Sequence, residues 1–174
     1  SMQDAILGQS AVIAFTGRHV AAMQYRNAYQ EVAHGPLFQP VTKFQGRMDV
    51  LEQMPQLIRQ AFREATTGTP RPVHLDVAGF TGDALTAQEC EFALTVDEPH
   101  TRVPAFRPAA DPAAVARAVA AIGKSRRPVI VADRGVVICD AFASLEKFAS
   151  RIQAPVVVTL DAKIAVAEDH PLCR

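Results

Sequence analysis

Residues 155–160 read Pro155-Val156-Val157-Val158-Thr159-Leu160, a short run that is apolar at nearly every position. Runs of the same kind cover residues 11–15, 72–77 and 128–132, and a shorter candidate covers residues 40–44. Strands without polar alternation are typical of parallel sheets that helices cover on both faces. These runs therefore predict a set of parallel strands.

Helical patterns separate the predicted strands. The ends of the first helix are marked by a capping box of Asp49 and Glu52, by Pro55 where regular helix starts, and by Gly68 as the stop. A second helix is predicted from its N-cap Asp111 to Gly123, with a buried stripe of Val115, Val119 and Ile122. A third begins near Asp140 and is predicted to bury Phe142, Leu145, Phe148, Ala149 and Ile152. Alternating strands and helices predict an α/β fold with parallel sheets and flanking helices.

Composition and charge narrow the classes of function. The chain has 174 residues, of which 49% are hydrophobic, so a sizeable core can be buried. Eighteen basic and eighteen acidic side chains leave no net charge, which predicts neither nucleic acid nor a membrane as a partner. The apolar runs are too short to cross a bilayer, and the three widely spaced cysteines indicate free thiols in a reducing cytoplasm.

The regular pattern disappears between about Gly79 and Pro108, a stretch that contains three prolines and no sustained apolar face. A structureless run of that length inside one domain is unusual, so it is interpreted as a linker between two domains. Ligands of open parallel sheets bind beyond the carboxyl ends of the strands. Four such ends can be read here, at residues 16–19, 78–80, 133–135 and 161–163.

None of these strand ends carries a motif that specifies a reaction. The chain contains no Gly-x-Gly-x-x-Gly, no phosphate-binding loop and no Gly-x-Ser-x-Gly nucleophile elbow. The five histidines never fall at the spacing that a metal site on one helix face requires. His74, inside a predicted strand, is interpreted as a hydrogen-bonded core histidine rather than a base. The residues alone thus predict an α/β ligand-binding architecture and no particular chemistry.

Longer strings carry a resemblance to a known superfamily. They are Ala14-Phe15-Thr16-Gly17, Ala28-Tyr29-Gln30-Glu31, Leu37-Phe38-Gln39-Pro40-Val41-Thr42-Lys43, Ala65-Thr66-Thr67-Gly68 and Arg71-Pro72-Val73-His74-Leu75-Asp76, followed by residues 127–132, 154–163 and 168–172. In order and spacing they resemble the thiamine-diphosphate-dependent enzymes of the acetolactate-synthase-like and benzoylformate-decarboxylase-like superfamily. The resemblance covers nearly the whole chain.

The resemblance implies an internal fragment of such an enzyme. Residues 1–79 would form the C-terminal half of a pyrimidine-binding domain, residues 80–107 a linker, and residues 108–174 the N-terminal half of a Rossmann-like central domain. The parent protein would be a homodimer or homotetramer that uses thiamine diphosphate and Mg²⁺ on small 2-oxo acids, as a lyase or transferase in the cytoplasm. The superfamily's activating glutamate and its Gly-Asp-Gly…Asn motif have no counterpart here, so the chain would hold no catalytic or metal-binding residue and would be inactive alone.

Site residues follow from the same resemblance. Tyr29 and Gln30 match a Phe-Gln pair that reaches the partner subunit's active site, and Gly17 and Arg18 follow Thr16 where relatives often have Thr-Gly-Gln. These four residues are predicted to lie next to the cofactor or the substrate. Glu31 belongs to the Gln-Glu string and is not the activating glutamate.

Departures from the family pattern argue against FAD. Thr69 stands where relatives of acetolactate synthase place an arginine, and Asp133 and Arg134 replace two glycines of a Gly-Gly-Gly turn. Two side chains at that turn would crowd a closely approaching dinucleotide. The alternative hypothesis is a stand-alone, non-catalytic nucleotide-binding or scaffold module that has the same fold.

Overall fold

The computed structural model describes residues 2–79, 85, 89–93 and 95–173. The chain divides into two compact units, residues 1–106 and residues 107–174. Both contain parallel strands flanked by helices, which confirms the predicted α/β fold class. No helix in the described part of the chain is long and apolar enough to cross a membrane.

The first unit is built on a three-stranded parallel sheet. Its strands are β1 (Ile13–Arg18), β2 (Phe44–Met48) and β3 (Val73–Ala78), arranged in the order β1-β3-β2. Because β3 pairs on both sides, its residues Val73 and Leu75 are completely buried. The central position of β3 brings its carboxyl end beside those of both neighbours.

Helices surround this sheet. They are α1 (Met2–Leu7), α2 (His34–Phe38) and α3 (Met54–Thr66), with 3₁₀ turns at Ala21–Met23, Gln39–Val41, Leu51–Gln53 and Glu98–Thr101. Helix α3 covers the sheet through Ala61 and Ala65, which form one hydrophobic cluster with Val73 and Leu75 of β3. Small residues on the helix let its backbone come close to the strands, so the cluster is closely packed.

The 3₁₀ turn Leu51–Gln53, which leads into α3, is capped differently from the sequence prediction. The side-chain oxygen of Gln53 accepts hydrogen bonds from the backbone N–H groups of Asp49 (2.8 Å) and Val50 (3.4 Å). The predicted capping box of Asp49 and Glu52 is therefore wrong, because the carboxylate of Asp49 is paired with arginine side chains instead. Regular helix does include Pro55 in its first turn, as predicted.

Two strands of the first unit are displaced along the sequence from their predicted positions. Strand β1 extends to Arg18, whereas the apolar run ended at Phe15, because Thr16 and Gly17 still pair with β3. Strand β2 begins at Phe44, where the predicted run ended, and residues 39–41 form a 3₁₀ turn. Sheet pairing thus continued past the residues whose hydrophobicity predicted it.

The second unit contains β4 (Ile130–Ala132) and β5 (Val156–Val158), which pair in parallel, with helices α4 (Pro112–Gly123), α5 (Arg134–Ile138) and α6 (Phe142–Ile152). The carboxylate of Asp111 caps α4 by accepting hydrogen bonds from the N–H groups of Ala113 and Ala114, so the predicted cap and helix ends are confirmed. The core combines Leu145 and Ala149 of α6 with Ala132 and Val156 of the strands.

Helix α4 does not bury its predicted apolar stripe. Val115 is 46% exposed and Val119 is 61% exposed, and neither belongs to the hydrophobic cluster of the second unit. Phe148 of α6 is likewise exposed, although it was predicted to be buried. The cluster takes in Leu145 and Ala149 of α6 but not Phe148, and it includes no residue of α4. Periodicity identified the helices but not which of their residues have a packing partner.

Part of the predicted linker makes ordered contacts. His100 is buried, and its Nδ1 lies 2.9 Å from the hydroxyl oxygen of Thr66 at the end of α3. The N–H of Ala105 donates to the carbonyl of Thr66 at 3.0 Å. Residues 80–84, 86–88 and 94 of the predicted linker lie outside the described residues, so its extent stays a prediction.

Candidate ligand-binding groove

An open cavity of about 980 Å³ lies at the carboxyl ends of the strands of the first unit. This cavity is called the groove. Its walls come from the ends of β1, β2 and β3, from the start of α2 and from the segment 24–33. The lining includes Gly17, Arg18, Gln30, His34, Arg47, His74 and Asp76. The position agrees with the general rule for ligand sites of parallel sheets.

A hydrogen-bonded cluster centred on Thr16 lies beside the groove. The hydroxyl of Thr16 donates to Oδ1 of Asp76 at 2.9 Å. Its oxygen also lies 2.7 Å from Nε2 of His74 and 3.1 Å from Nδ1 of His34. That same Nδ1 lies 2.8 Å from Oδ1 of Asp76. Strands β1 and β3 and helix α2 thus contribute to a single network.

His74 is the buried member of this cluster. Its ring is stacked on Phe38, with centroids 3.9 Å apart and an interplanar angle of 6°. Burial lowers the pKa of His74 because the charged form loses hydration, and the charge of His34 lowers it further, although Asp76 acts in the opposite direction. His74 is a hydrogen-bonded core histidine, as the sequence predicted, and it is neutral at pH 7.

Arg18 is a buried cation that lines the groove. Only 8% of its side chain is exposed, and its guanidinium pairs with Asp49 and donates to the carbonyl of His19 at 3.2 Å. Its Nε lies 3.5 Å from Oδ2 of Asp76 and makes no hydrogen bond. A buried donor without a hydrogen bond is costly, and the nearby carboxylate of Asp76 offsets part of that cost.

The segment 24–33 forms the rim of the groove, and Glu31 organises it. The carboxylate of Glu31 accepts hydrogen bonds from the N–H groups of Ala28 and Tyr25, which together lower the pKa of Glu31. Positive φ angles at Tyr25, Asn27 and Gln30 show how tightly this segment turns. Since Glu31 is engaged in the turn, its role here is local and structural.

The structure brings together three of the four residues predicted to lie in a site. Gly17, Arg18 and Gln30 line the groove, whereas Tyr29 is 77% exposed and is not part of its lining. Whether any of them contacts a cofactor or a substrate stays a prediction.

Sequence reasoning missed the cluster of Thr16, His34, His74 and Asp76 as a site. Thr16 and Asp76 stand in strings that were recognised for the resemblance, but His34 belongs to no motif. Among the residues that the structure describes, no group of three or more His, Cys, Asp or Glu side chains could hold a metal ion.

In the second unit, the strand ends are linked by side chains. The hydroxyl of Thr159 donates to the carboxylate of Asp133 at 2.5 Å, and this bond lowers the pKa of Asp133. Helix α5 begins at the next residue, Arg134.

Known proteins resemble the chain in sequence. A family model described as the central domain of thiamine pyrophosphate enzymes matches residues 115–174. The "Probable acetolactate synthase large subunit" of Methanocaldococcus jannaschii is 35% identical over 166 residues, which are 94% of this chain and 27% of that protein. The chain belongs to the thiamine-diphosphate-dependent enzyme superfamily.

Other members of the superfamily show the same extent of similarity. The glyoxylate carboligase of Escherichia coli O157:H7 is 32% identical over 161 residues, which are 92% of this chain and 26% of that protein. A crystal structure described as a thiamin diphosphate-dependent enzyme from Mycobacterium smegmatis covers 99% of this chain and 32% of its own, with a TM-score of 0.78 and 20% identity. That likeness shows the fold. The chain spans about a quarter of the length of the curated relatives it matches.

Proposed function

We propose that this chain is part of a thiamine-diphosphate-dependent enzyme that decarboxylates or ligates small 2-oxo acids. The observation that carries the proposal is the groove, which lies at the carboxyl ends of parallel strands and is lined by Gln30, Gly17 and Arg18. The two curated relatives described above are an acetolactate synthase subunit and a glyoxylate carboligase, and both names imply carboligation.

The groove fits one end of the cofactor. Polar groups of the lining, such as the Gln30 amide and the Asp76 carboxylate, suit a heterocycle that carries ring nitrogens and an amino group. The magnesium–diphosphate end is not matched, because the described residues offer no cluster of metal-ligating side chains. When bound, thiamine diphosphate supplies a nucleophilic carbon that adds to the carbonyl of a 2-oxo acid.

The contribution of this chain is therefore positioning rather than turnover. The rim segment fixes the backbone of Gln30 beside the groove, and the buried Arg18 and the partly buried Asp76 give that groove a polar floor. Among the described residues there is no ligand cluster for Mg²⁺, the usual counter-charge of the diphosphate. We infer that the 174-residue chain alone consumes no 2-oxo acid.

The test uses the product of the complete reading frame and the 174-residue chain side by side. Each is assayed for consumption of pyruvate and of glyoxylate with thiamine diphosphate and Mg²⁺. We expect turnover by the former only. Turnover by the 174-residue chain would refute the positioning role. A reading frame that lacks a Gly-Asp-Gly motif, with an inactive product, would favour the non-catalytic module instead.

A matched pair of variants examines the groove within that assay. Gln30→Ala removes an amide from the groove lining, and we expect kcat/KM to fall about tenfold, the effect of losing roughly one hydrogen bond to a polar group. Gln56→Ala removes the same group from the exposed face of α3 and should leave kcat/KM unchanged. Equal activities of the two variants would argue against a role for Gln30.

The oligomeric state is a proposal of the same kind. Tyr29 on the rim is 77% exposed, and we propose that this aromatic side chain contacts a second subunit in a homodimer or homotetramer in the cytoplasm. Light scattering on the complete protein checks this, and Tyr29→Ser should weaken the assembly. A monomer in both cases would contradict it.

The absence of FAD is proposed from the second unit. The Asp133 carboxylate is held by Thr159 across the ends of β4 and β5, where a dinucleotide backbone would otherwise approach. The complete protein should therefore show no flavin absorption after gentle purification. A flavin spectrum at stoichiometric intensity would overturn this part of the proposal.

A further inference from the structure

His19 contacts the rim of the groove at the peptide bond that precedes Gln30. Its Nε2 lies 2.7 Å from the carbonyl oxygen of Tyr29. A carbonyl oxygen only accepts hydrogen bonds, so Nε2 of His19 carries a proton and donates. Because a peptide unit is planar, fixing the Tyr29 carbonyl also fixes the direction of the Gln30 N–H. The neutral and the charged imidazole can both make this bond, so it requires no titration of His19.

The rim has few other means of keeping its shape. None of its residues is buried, so no apolar core holds it. Tyr25, Asn27 and Gln30 have φ angles of 62°, 57° and 57°, a left-handed conformation that is unfavourable for residues other than glycine. The contacts that compensate for this cost are polar. The carboxylate of Glu31 closes the turn on one side of Gln30, and His19 holds it on the other.

His19 connects the rim to the parallel sheet. It directly follows Arg18, the last residue of β1, and β1 pairs with the central strand β3. Nη1 of the buried Arg18 donates to the carbonyl of His19 at 3.2 Å, and Nε2 of Gln24 lies 3.5 Å from the same oxygen. The backbone of His19 is therefore fixed by the sheet, and its imidazole can hold the rim in a defined place beside the strand ends.

We propose that His19 is a positioning residue, which holds the peptide bond before Gln30 so that Gln30 lies in the lining of the groove. The importance of Gln30 rests on the proposed function, whereas the contact of His19 with the rim rests on the hydrogen bonds alone. Nε2 of His19 is engaged with Tyr29, so its effect on a ligand acts through Gln30. Without this bond the rim is closed in a smaller fraction of molecules, and a ligand binds more weakly by that fraction.

Hydrogen exchange of the 174-residue chain, measured by NMR, tests the contact itself. The amides of Tyr25 and Ala28, which donate to Glu31, report opening of the rim, and the amide of Val73 in β3 reports the sheet. His19→Leu removes the imidazole donor. The rim amides should then exchange about tenfold faster, the effect of losing roughly one hydrogen bond, while the Val73 amide is unchanged.

His19→Gln is the matched control. Its side-chain amide carries an N–H donor at about the reach of Nε2, so the rim amides should exchange as they do in the wild type. Rim exchange that His19→Leu leaves unchanged, or that His19→Gln does not restore, would overturn the inference. Equal acceleration of the Val73 amide in His19→Leu would also overturn it, because His19 would then stabilise the whole unit rather than the rim.

The complete protein tests whether the contact matters for the proposed reaction. With pyruvate or glyoxylate, His19→Leu should lower kcat/KM about tenfold, as Gln30→Ala does, and His19→Gln should retain it. Because His19 acts through Gln30, the double variant His19→Leu/Gln30→Ala should lose no more than either variant alone. Losses that multiply would show that the two residues act separately, and the inference would be wrong.

Failure of this inference is distinguishable from failure of the proposed function. Turnover by the complete protein, with rim exchange that does not depend on His19, would overturn the inference alone. Rim exchange that depends on His19, in a complete protein without turnover, would overturn the proposed function alone.

Discussion

Gly46 in the middle of β2 is a position at which one added methyl group should be costly. An added Cβ would lie 2.7 Å from Cδ2 of Leu75 and 3.1 Å from Cδ2 of Leu57. Leu75 is completely buried in the central strand, and Leu57 packs against the same cluster. The two methyl groups belong to different elements, and Leu75 is enclosed by the core, so the added methyl group competes with atoms that are already packed. Gly46→Ala should therefore overpack the core of the first unit.

The expected loss of stability can be worked out from two opposing contributions. Overpacking a closely packed core costs about 1–3 kcal/mol. Replacing glycine by alanine restricts the unfolded chain and returns about 0.4–1 kcal/mol where the backbone tolerates it. The net loss is about 1–2 kcal/mol, which increases the unfolded population of the first unit roughly 5–30-fold.

Native-state hydrogen exchange measures this loss separately for each unit. The amides of β3 report the first unit, and the amide of Ile130, bonded to the carbonyl of Pro155 at 2.9 Å, reports the second. In Gly46→Ala the β3 amides should exchange roughly 5–30-fold faster, because a loss of about 1–2 kcal/mol raises the open population by that factor. The matched control is Gly123→Ala, whose Cβ would meet nothing within 4 Å.

The combination with Leu75→Ala sharpens the test. Leu75→Ala alone should cost about 2–5 kcal/mol through the cavity that it leaves. With Gly46→Ala added, the new methyl group fills part of that cavity, so the double variant should be more stable than the sum predicts by at least about 0.5 kcal/mol. If Gly46→Ala is as stable as wild type, or if the two effects simply add, the close contact between Gly46 and Leu75 does not limit packing.

Three other predictions concern single residues. Because burial lowers the pKa of His74 from 6.5, the unfolded state takes up a proton first as the pH falls below 6.5. The free energy of unfolding should then decrease by up to about 1.4 kcal/mol per pH unit, and His74→Gln should remove that slope in urea titrations. Asp111→Ala removes the cap of α4 and should cost about 1 kcal/mol, seen as lost helical circular dichroism on heating. Gln153 at the end of α6 has a φ of 52°, which glycine adopts without strain. Gln153→Gly should therefore stabilise the protein by about 1 kcal/mol and raise its melting temperature. An unchanged or lower melting temperature contradicts this.

Local patterns in the sequence were sufficient for the fold class. Apolar runs predicted the parallel strands, and Asp111 with Pro112 and Gly123 predicted both ends of α4. These features act between residues that are close along the chain, through backbone conformation and capping, and can therefore be read without a structure. The longer strings shared with a known family predicted the superfamily. The family-model match and the similarity to curated relatives confirmed that prediction.

Only the tertiary structure decided what the strand ends do. Thr16 lies 18 residues from His34, 58 from His74 and 60 from Asp76, so their hydrogen bonds depend on the strand order β1-β3-β2. No local pattern encodes that order. Burial was decided in the same way: the stripe of α4 has the right period but no cluster to join, whereas Gly46, unremarkable in sequence, lies against two leucines of the core. Contacts between distant segments depend on which elements become neighbours, and that is a property of the packed chain as a whole.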